Sequence, residues 1–413
     1  MDILNLLGIS VICFSFLFIF YYLLKNNFIL SIIYFFAFIF RIILSFLQEK
    51  IQLFPYKWDE DTFYSNGLEF FKYLNNYTYN NPFSEINSIS SYGSFLGILF
   101  YFFNDSQMIA RLSNVILSTF IIILIYRFCI DVLFLNKKSS YLISSIVAFT
   151  PSYMIYSVLI MRDIIIWNLI VLIVYFTSYW LLKSKNKHLL FSLIFLIILI
   201  PLRKQYIILL FISYIFLFFL KLNRYNIFYK KVPFNIIKYF IITISLIITP
   251  VIISMLFENE LARWGNDAII EYFNNQLQWR IQGGSAYLID LKYNSILDLF
   301  LALPLKFLHF TFGPFLWTST SPFIILASIE SLIGFISFSY IILNYKFIKT
   351  KNKYINDVVF YLLAFAIIGL LANSIIDSNY GTAMRHRMIY MPFIFIISTL
   401  TYQNKNQIKL LNF

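Results

Sequence analysis

Residues 3–24 read ILNLLGISVICFSFLFIFYYLL, a run without one acidic or basic side chain. A helix that crosses a bilayer needs about 20 consecutive, mostly apolar residues, because backbone N–H and C=O groups in hydrocarbon have to be paired inside the segment itself. A second such run follows at 28–48, and more recur to the far end of the 413-residue chain. Hydrophobic residues make up 60% of the sequence and charged ones 12%, about half the charge of a soluble domain. No water-soluble fold hides that much apolar side chain. The expectation is an all-α, polytopic transmembrane helical bundle, a single integral membrane domain over residues 1–413. No small-residue cleavage site follows the first run, so it is expected to stay as a span rather than leave as a signal peptide.

The net charge of +13 does not point to nucleic acid, because Lys and Arg gather in the short breaks between apolar runs, where membrane topology explains them. Those breaks are Lys25, Lys137 with Lys138, the Lys183–Lys187 stretch, Lys221 to Lys231, Lys346 to Lys353, and Lys405 with Lys409. All six fall on one side of the membrane if there are about eleven spans, near 3–24, 28–48, 107–130, 140–159, 163–182, 188–200, 205–221, 236–256, 322–345, 356–375 and 387–401. The other side then receives two long connections, 49–106 and 257–321, each with an apolar piece (Tyr92–Phe103 and Ile296–Phe315) expected as an interfacial or re-entrant helix. Cys13 and Cys129 sit inside apolar runs, which argues against a disulfide or a thiolate metal site.

The first long loop opens with Pro55-Tyr56-Lys57-Trp58-Asp59-Glu60-Asp61-Thr62-Phe63-Tyr64, the densest acidic charge in the chain. Carboxylates side by side share a proton or a divalent cation, which suits a general base, and a solvated acidic loop is the plain alternative. A span followed by an outer-loop acidic group and, a few residues on, a tyrosine resembles the first loop of the C-type membrane glycosyltransferases. The resemblance extends through Tyr92-Gly-Ser-Phe-Leu-Gly97, Arg111-Leu-Ser-Asn114, Pro151-Ser-Tyr-Met-Ile-Tyr156 and Arg162-Asp163. It is nearest to bacterial surface-polysaccharide proteins such as O-antigen or capsule enzymes, through Gly284-Ser-Ala-Tyr287 and Pro314-Phe-Leu-Trp317. In that superfamily the loop acid activates the acceptor, and the sugar arrives on a polyprenyl phosphate or diphosphate. The family's acidic pair is a triple here, so Asp59, Glu60 and Asp61 all stand as catalytic candidates. Asp61 has the spacing to Tyr64 that fits best.

Anion-binding candidates come from basic residues on the outer side, against the positive-inside trend. Arg162, and the Arg203-Lys204 pair, lie at turns between spans, and together with Arg280 they are expected to ring an anionic cavity. Arg280 stands beside Gly283 and Gly284, where backbone N–H groups can approach a phosphate or where two helices simply turn. Arg385 and Arg387, with His386 between them, precede the last span and match an Arg-x-Arg feature of the family. A guanidinium there neutralises a departing lipid phosphate or binds lipid headgroups generically.

No His/Cys spacing makes a zinc site, and no Walker or Ser/His/Asp arrangement is present. Hard oxygen ligands at the acidic cluster permit a divalent metal without requiring one. The resemblance implies an inverting glycosyltransferase of the bacterial cytoplasmic membrane, its site facing outward, taking sugar from a polyprenyl-(di)phosphate donor to a glycan or lipid-linked acceptor. A repeat-unit polymerase and a lipid-linked oligosaccharide exporter are the alternatives, although the inverted or parallel repeats of many transporters are not evident.

Overall fold

The apolar runs build helices that carry their own backbone pairing, and polar side chains fill in where a helix stops. A computed structural model describes residues 3–76, 88–225, 266–281, 284–318 and 321–411. Every described element is helical apart from one isolated antiparallel bridge between Ala286 and Asn379. The chain divides into two compact units, Met1–Trp180 with Lys185–Arg203, and Leu181–Ser184 with Lys204–Phe413.

Unit 1 contains α1 (Ile3–Asn26), α2 (Phe28–Ile51), α3 (Lys57–Leu74), α4 (Ser88–Phe103), α5 (Gln107–Arg127), α6 (Lys137–Phe149), α7 (Pro151–Ser157), most of α8 (Asp163–Lys183) and α9 (Asn186–Leu202). A π-helical turn at Phe128–Val132 prolongs α5. Helices α1, α2, α5 and α6 pack in sequence, and α3 lies along α4. That last pair is tight because two glycines allow it. A Cβ on Gly67 would stand 2.8 Å from Cβ of Leu96, and one on Gly97 2.4 Å from Cβ of Phe70.

Unit 2 contains α10 (Gln205–Tyr225), α11 (Asn266–Arg280), α12 (Ile296–Phe312), α13 (Pro322–Leu343), α14 (Lys353–Ile376), α15 (Tyr380–Arg387) and α16 (Met391–Leu411). Helix α14 packs against α10, α12 and α16, and α13 packs against α12 and α16. A capping box of Ser295 and Asp298 starts α12, with two otherwise orphaned backbone donors satisfied reciprocally.

Six described helices are long and apolar enough to cross a membrane: Ile3–Asn26, Phe28–Ile51, Gln107–Val132, Asp163–Lys183, Pro322–Leu343 and Lys353–Ile376. They coincide with six of the expected spans. The helix at the expected 188–200 segment is apolar but shorter, and α10 covers the expected 205–221 segment without being among the six. The expected 140–159 helix is instead broken into α6 and α7, with Thr150 extended at ψ 130°. The cause is Pro151, which disfavours helical geometry in the residue before it and suits the first turn of a new helix. At the expected 387–401 span the helix starts later, at Met391, after α15 and a turn, and it is not among the six. The first long loop holds a full helix, α3, that its polar composition concealed. The expected 236–256 span, most of the Lys221 to Lys231 break and Gly283 lie outside the described residues.

Candidate functional site

In unit 1 the acidic triple forms the first turns of α3, and the helix gives its three members different surroundings. Glu60 points inward and is 4% exposed, Asp59 is half-buried, and Asp61 is exposed. Successive helical residues are rotated by about 100°, so three neighbours cannot share one environment.

Glu60 meets a set of donors drawn from three other segments. Its Oε1 accepts from Arg111 and from the backbone N–H of Ile160 at 2.9 Å, and its Oε2 accepts from Nε2 of Gln48 at 2.8 Å. Gln48 in turn takes the N–H of Phe54 at 2.8 Å, which fixes the link between α2 and α3. The hydroxyls of Tyr56 and Tyr156 meet at 2.8 Å beside it.

The reason for this mesh is residues 158–161, a non-helical stretch between α7 and α8 that is almost fully buried. Buried backbone outside a helix needs side-chain partners. Arg111 donates to Val158 O at 3.1 Å, and Asn114 donates to Leu159 O at 2.7 Å and Met161 O at 3.1 Å. Glu60 supplies the acceptor for Ile160 in the same stretch. Glu60, Arg111 and Asn114 therefore work as a clamp on the α7–α8 break.

The remaining unit 1 candidates are spread around this clamp. Tyr64 donates its hydroxyl to Asp105 O at 3.1 Å, and burial, helped by Asp105, pushes its pKa up. The guanidinium of Arg162 lies 5.5 Å from the centre of the Phe63 ring, a cation–π distance. Arg203 faces the buried carboxylate of Asp163 at 3.4 Å.

Unit 2 assembles a second polar centre, around Asp377 at the C-terminal end of α14. The carboxylate is 1% exposed and accepts from Arg280 through Oδ1, while Oδ2 meets Nδ1 of His386 at 2.6 Å. The Asp377 carbonyl takes Nζ of Lys306 and, at 2.8 Å, the hydroxyl of Tyr287; Lys306 also donates to Oγ of Ser378 at 2.7 Å. The loop after α11 is stitched to the loop after α14 by Tyr287 N to Ser378 O and Tyr380 N to Ser285 O, both 2.9 Å. Tyr287 stacks on His309, at 5.3 Å, and on Tyr380, at 4.6 Å, and those two meet each other through Nδ1 and the hydroxyl at 2.9 Å.

Lys306 is fully buried, on a helix that is not among the six candidate spans. Burial, with the Arg280 charge adding to it, pushes its pKa down to about 7. Burial and the Lys306 charge lower that of His309. Burial holds the Tyr287 hydroxyl far above its ordinary value and pushes Tyr380 up to about 12.

Arg280 is about one-quarter exposed, the most accessible cation of this cluster. Arg385 is half-buried on α15, and Lys204 is exposed at the start of the α10 segment. Arg387 has a different job from the one its sequence position suggests. It is fully buried and donates to the carbonyls of Phe310 at 3.4 Å, Thr311 at 3.3 Å and Gly313, and to Oγ of Ser331 at 2.8 Å. The free carbonyls at the end of α12 are what it satisfies, with Glu330 at 3.9 Å as counter-charge.

Sequence reading passed over Gln48 and Arg111 as partners of Glu60, and over Asp377, Lys306 and Tyr287 as a group. One signal was present: Lys306 and His309, three apart in an otherwise apolar run, share a helix face. Among the described residues no three His, Cys, Asp or Glu side chains converge as a metal site. The chain matches no family model, no curated protein and no solved structure.

Proposed function

We propose that this chain is a membrane glycosyltransferase that takes sugar from a polyprenyl-(di)phosphate donor to a hydroxyl acceptor, as in surface-polysaccharide synthesis, at the outer face of the bacterial cytoplasmic membrane. The observation that carries the reading is the cationic centre of unit 2. Arg280, Lys306 and Arg387 gather there with Asp377 and Glu330, three cations and two carboxylates among the described residues. A buried ammonium with a weakened hold on its proton marks a place where an anion would be favourable. In a chain of membrane helices, the phosphate of a lipid carrier has that charge. Arg280, the accessible member, and half-buried Arg385 are the groups assigned to it. Arg387 supports them by holding the end of α12.

In the transfer, the acceptor oxygen bonds to the anomeric carbon and gives its proton to a base, while the carbon–oxygen bond to the carrier phosphate breaks. The leaving phosphate gains charge, and cations already in position stabilise it. Within the acidic triple of unit 1, Glu60 is occupied by the clamp, which leaves Asp59 and Asp61 as the base candidates of this reading. About eleven spans, with both long loops on the outer side, remain the topology that agrees with the basic breaks.

The test is reconstitution in liposomes with polyprenyl-phosphate and polyprenyl-diphosphate hexoses and a lipid-linked acceptor. Glycosidic product is expected from wild type. Asp59→Asn or Asp61→Asn is expected to cut it by at least about a hundredfold, the usual worth of a general base. Wild-type rates in both variants would remove the base assignment. Donor that crosses the bilayer without forming product would favour an exporter instead.

A further inference from the structure

Unit 1 contains a groove that serves neither polar centre. It lies where α1 runs into α2 and the last turn of α5 closes the third side, and it encloses about 350 Å³. Phe18, Ile19, Leu23, Phe120, Ile123 and Ile130 give it an apolar wall, and Arg127 and Lys137 complete the lining. Three of the six candidate spans form or flank it, Ile3–Asn26, Phe28–Ile51 and Gln107–Val132. Because α1 ends at Asn26, α2 begins at Phe28 and α5 ends at Arg127, the groove opens at the level of a membrane interface.

The polar atoms at its floor are already used. Oδ1 of Asn27 accepts from the Tyr141 hydroxyl at 2.7 Å and from Leu30 N at 3.2 Å, and Asn26 donates to Tyr22 O at 2.7 Å. Among the described residues the cations here outnumber the acids. Lys25, Arg127, Lys137 and Lys138 are all exposed, and Asp131 faces Arg127 only at 3.9 Å. An apolar slot with a cationic rim at the bilayer interface is complementary to a molecule with hydrocarbon below and an anion above.

We propose that the groove binds an anionic membrane phospholipid, one acyl chain along the α1–α5 wall and its headgroup phosphate between Arg127 and Lys137. The volume suits part of a single chain and is too small for a protein partner's surface. The site is independent of the glycosyltransferase reading, since it shares no residue with it.

The test uses the full chain in neutral detergent, titrated with phosphatidylglycerol or with phosphatidylcholine of the same acyl chains, bound lipid being read by native mass spectrometry. Phosphatidylglycerol is expected to be retained and phosphatidylcholine not. Arg127→Gln with Lys137→Gln should weaken phosphatidylglycerol by roughly thirtyfold, from about 1 kcal/mol per basic residue. Ile19→Trp, which fills the slot and keeps the charges, should weaken it too. Lys349→Gln with Lys351→Gln, at a basic break in unit 2, should leave it unchanged. Equal retention of the two lipids, or affinity indifferent to both groove variants, overturns the proposal. Competition by soluble glycerol phosphate at comparable affinity also overturns it, in favour of a bare anion site.

Discussion

Glu60 in unit 1 and Asp377 in unit 2 are both buried carboxylates joined to an arginine, yet they are built to opposite ends. Glu60 has one cation, Arg111, and its remaining capacity goes to a backbone N–H and a neutral amide. Charge there is balanced, and the donors belong to the chain's own break between α7 and α8. Asp377 shares its carboxylate between Arg280 and His386, while Lys306 leans on its carbonyl. Among the described residues Arg280, Lys306 and Arg387 gather there, with Arg280 reaching solvent. The first arrangement pins the chain's own backbone, whereas the second is the one proposed to meet an anion.

The largest effects are expected from neutralising each carboxylate in turn. Glu60→Gln leaves Arg111 charged and buried without its counter-ion, and breaking a buried pair from one side costs about 3–5 kcal/mol. Unfolding in detergent, followed by temperature or denaturant, should show that loss. Asp377→Asn should cost about 3 kcal/mol by the same argument. The two should part on adding soluble pyrophosphate, which is expected to restore stability to Asp377→Asn and leave Glu60→Gln unchanged, since solvent reaches Arg280 (23% exposed) and not Arg111 (4%). An identical response from the two variants would break the comparison.

Next in size is the pH dependence that Lys306 confers. Its pKa is about 7 in the folded chain against 10.5 for a free lysine, so between those values the unfolded chain holds more protons. Stability therefore rises as pH goes from 7 toward 10, by at most about 1.4 kcal/mol per unit, and the contribution is lost as pH falls through 7. Lys306→Met should flatten that rise. Bound pyrophosphate should flatten it as well, by giving the ammonium a reason to keep its proton, and a slope unaffected by pyrophosphate would detach Lys306 from any anion site.

Much of the helical layout is legible in the sequence, because a span is a local property: 3–24 and 356–375 announce themselves by apolar length alone. Where helices stop is less local. Pro151 is plain in the sequence, but that it splits 140–159 depends on residues 158–161 finding partners on α3 and α5. Helix α3 was hidden because its buried face, Glu60, Phe63, Gly67 and Phe70, sets a carboxylate and a glycine among the aromatics of its helical period. The acidic triple was conspicuous, but its division of labour was not. Glu60 is distinguished by Arg111, 51 positions away, and Ile160, 100 positions away, and no spacing rule reaches that far. Arg280 was legible as a cation, whereas its partner Asp377 is 97 residues distant.

The smallest stability effect is expected at Asp61, which is why it sharpens the contrast. An exposed carboxylate costs little to neutralise, so Asp61→Asn should unfold within about 0.5 kcal/mol of wild type, against several kcal/mol for Glu60→Gln one residue earlier. If Asp61 is the base, the same variant loses turnover while its unfolding curve stays in place, a separation that a structural role does not produce. Should Asp59→Asn show that separation and Asp61→Asn keep full turnover, the proton passes to the half-buried member of the triple and the exposed one is only solvated. A drop in stability as large as that of Glu60→Gln in either variant would mean that the clamp extends beyond Glu60, and that the acidic triple acts as one structural element.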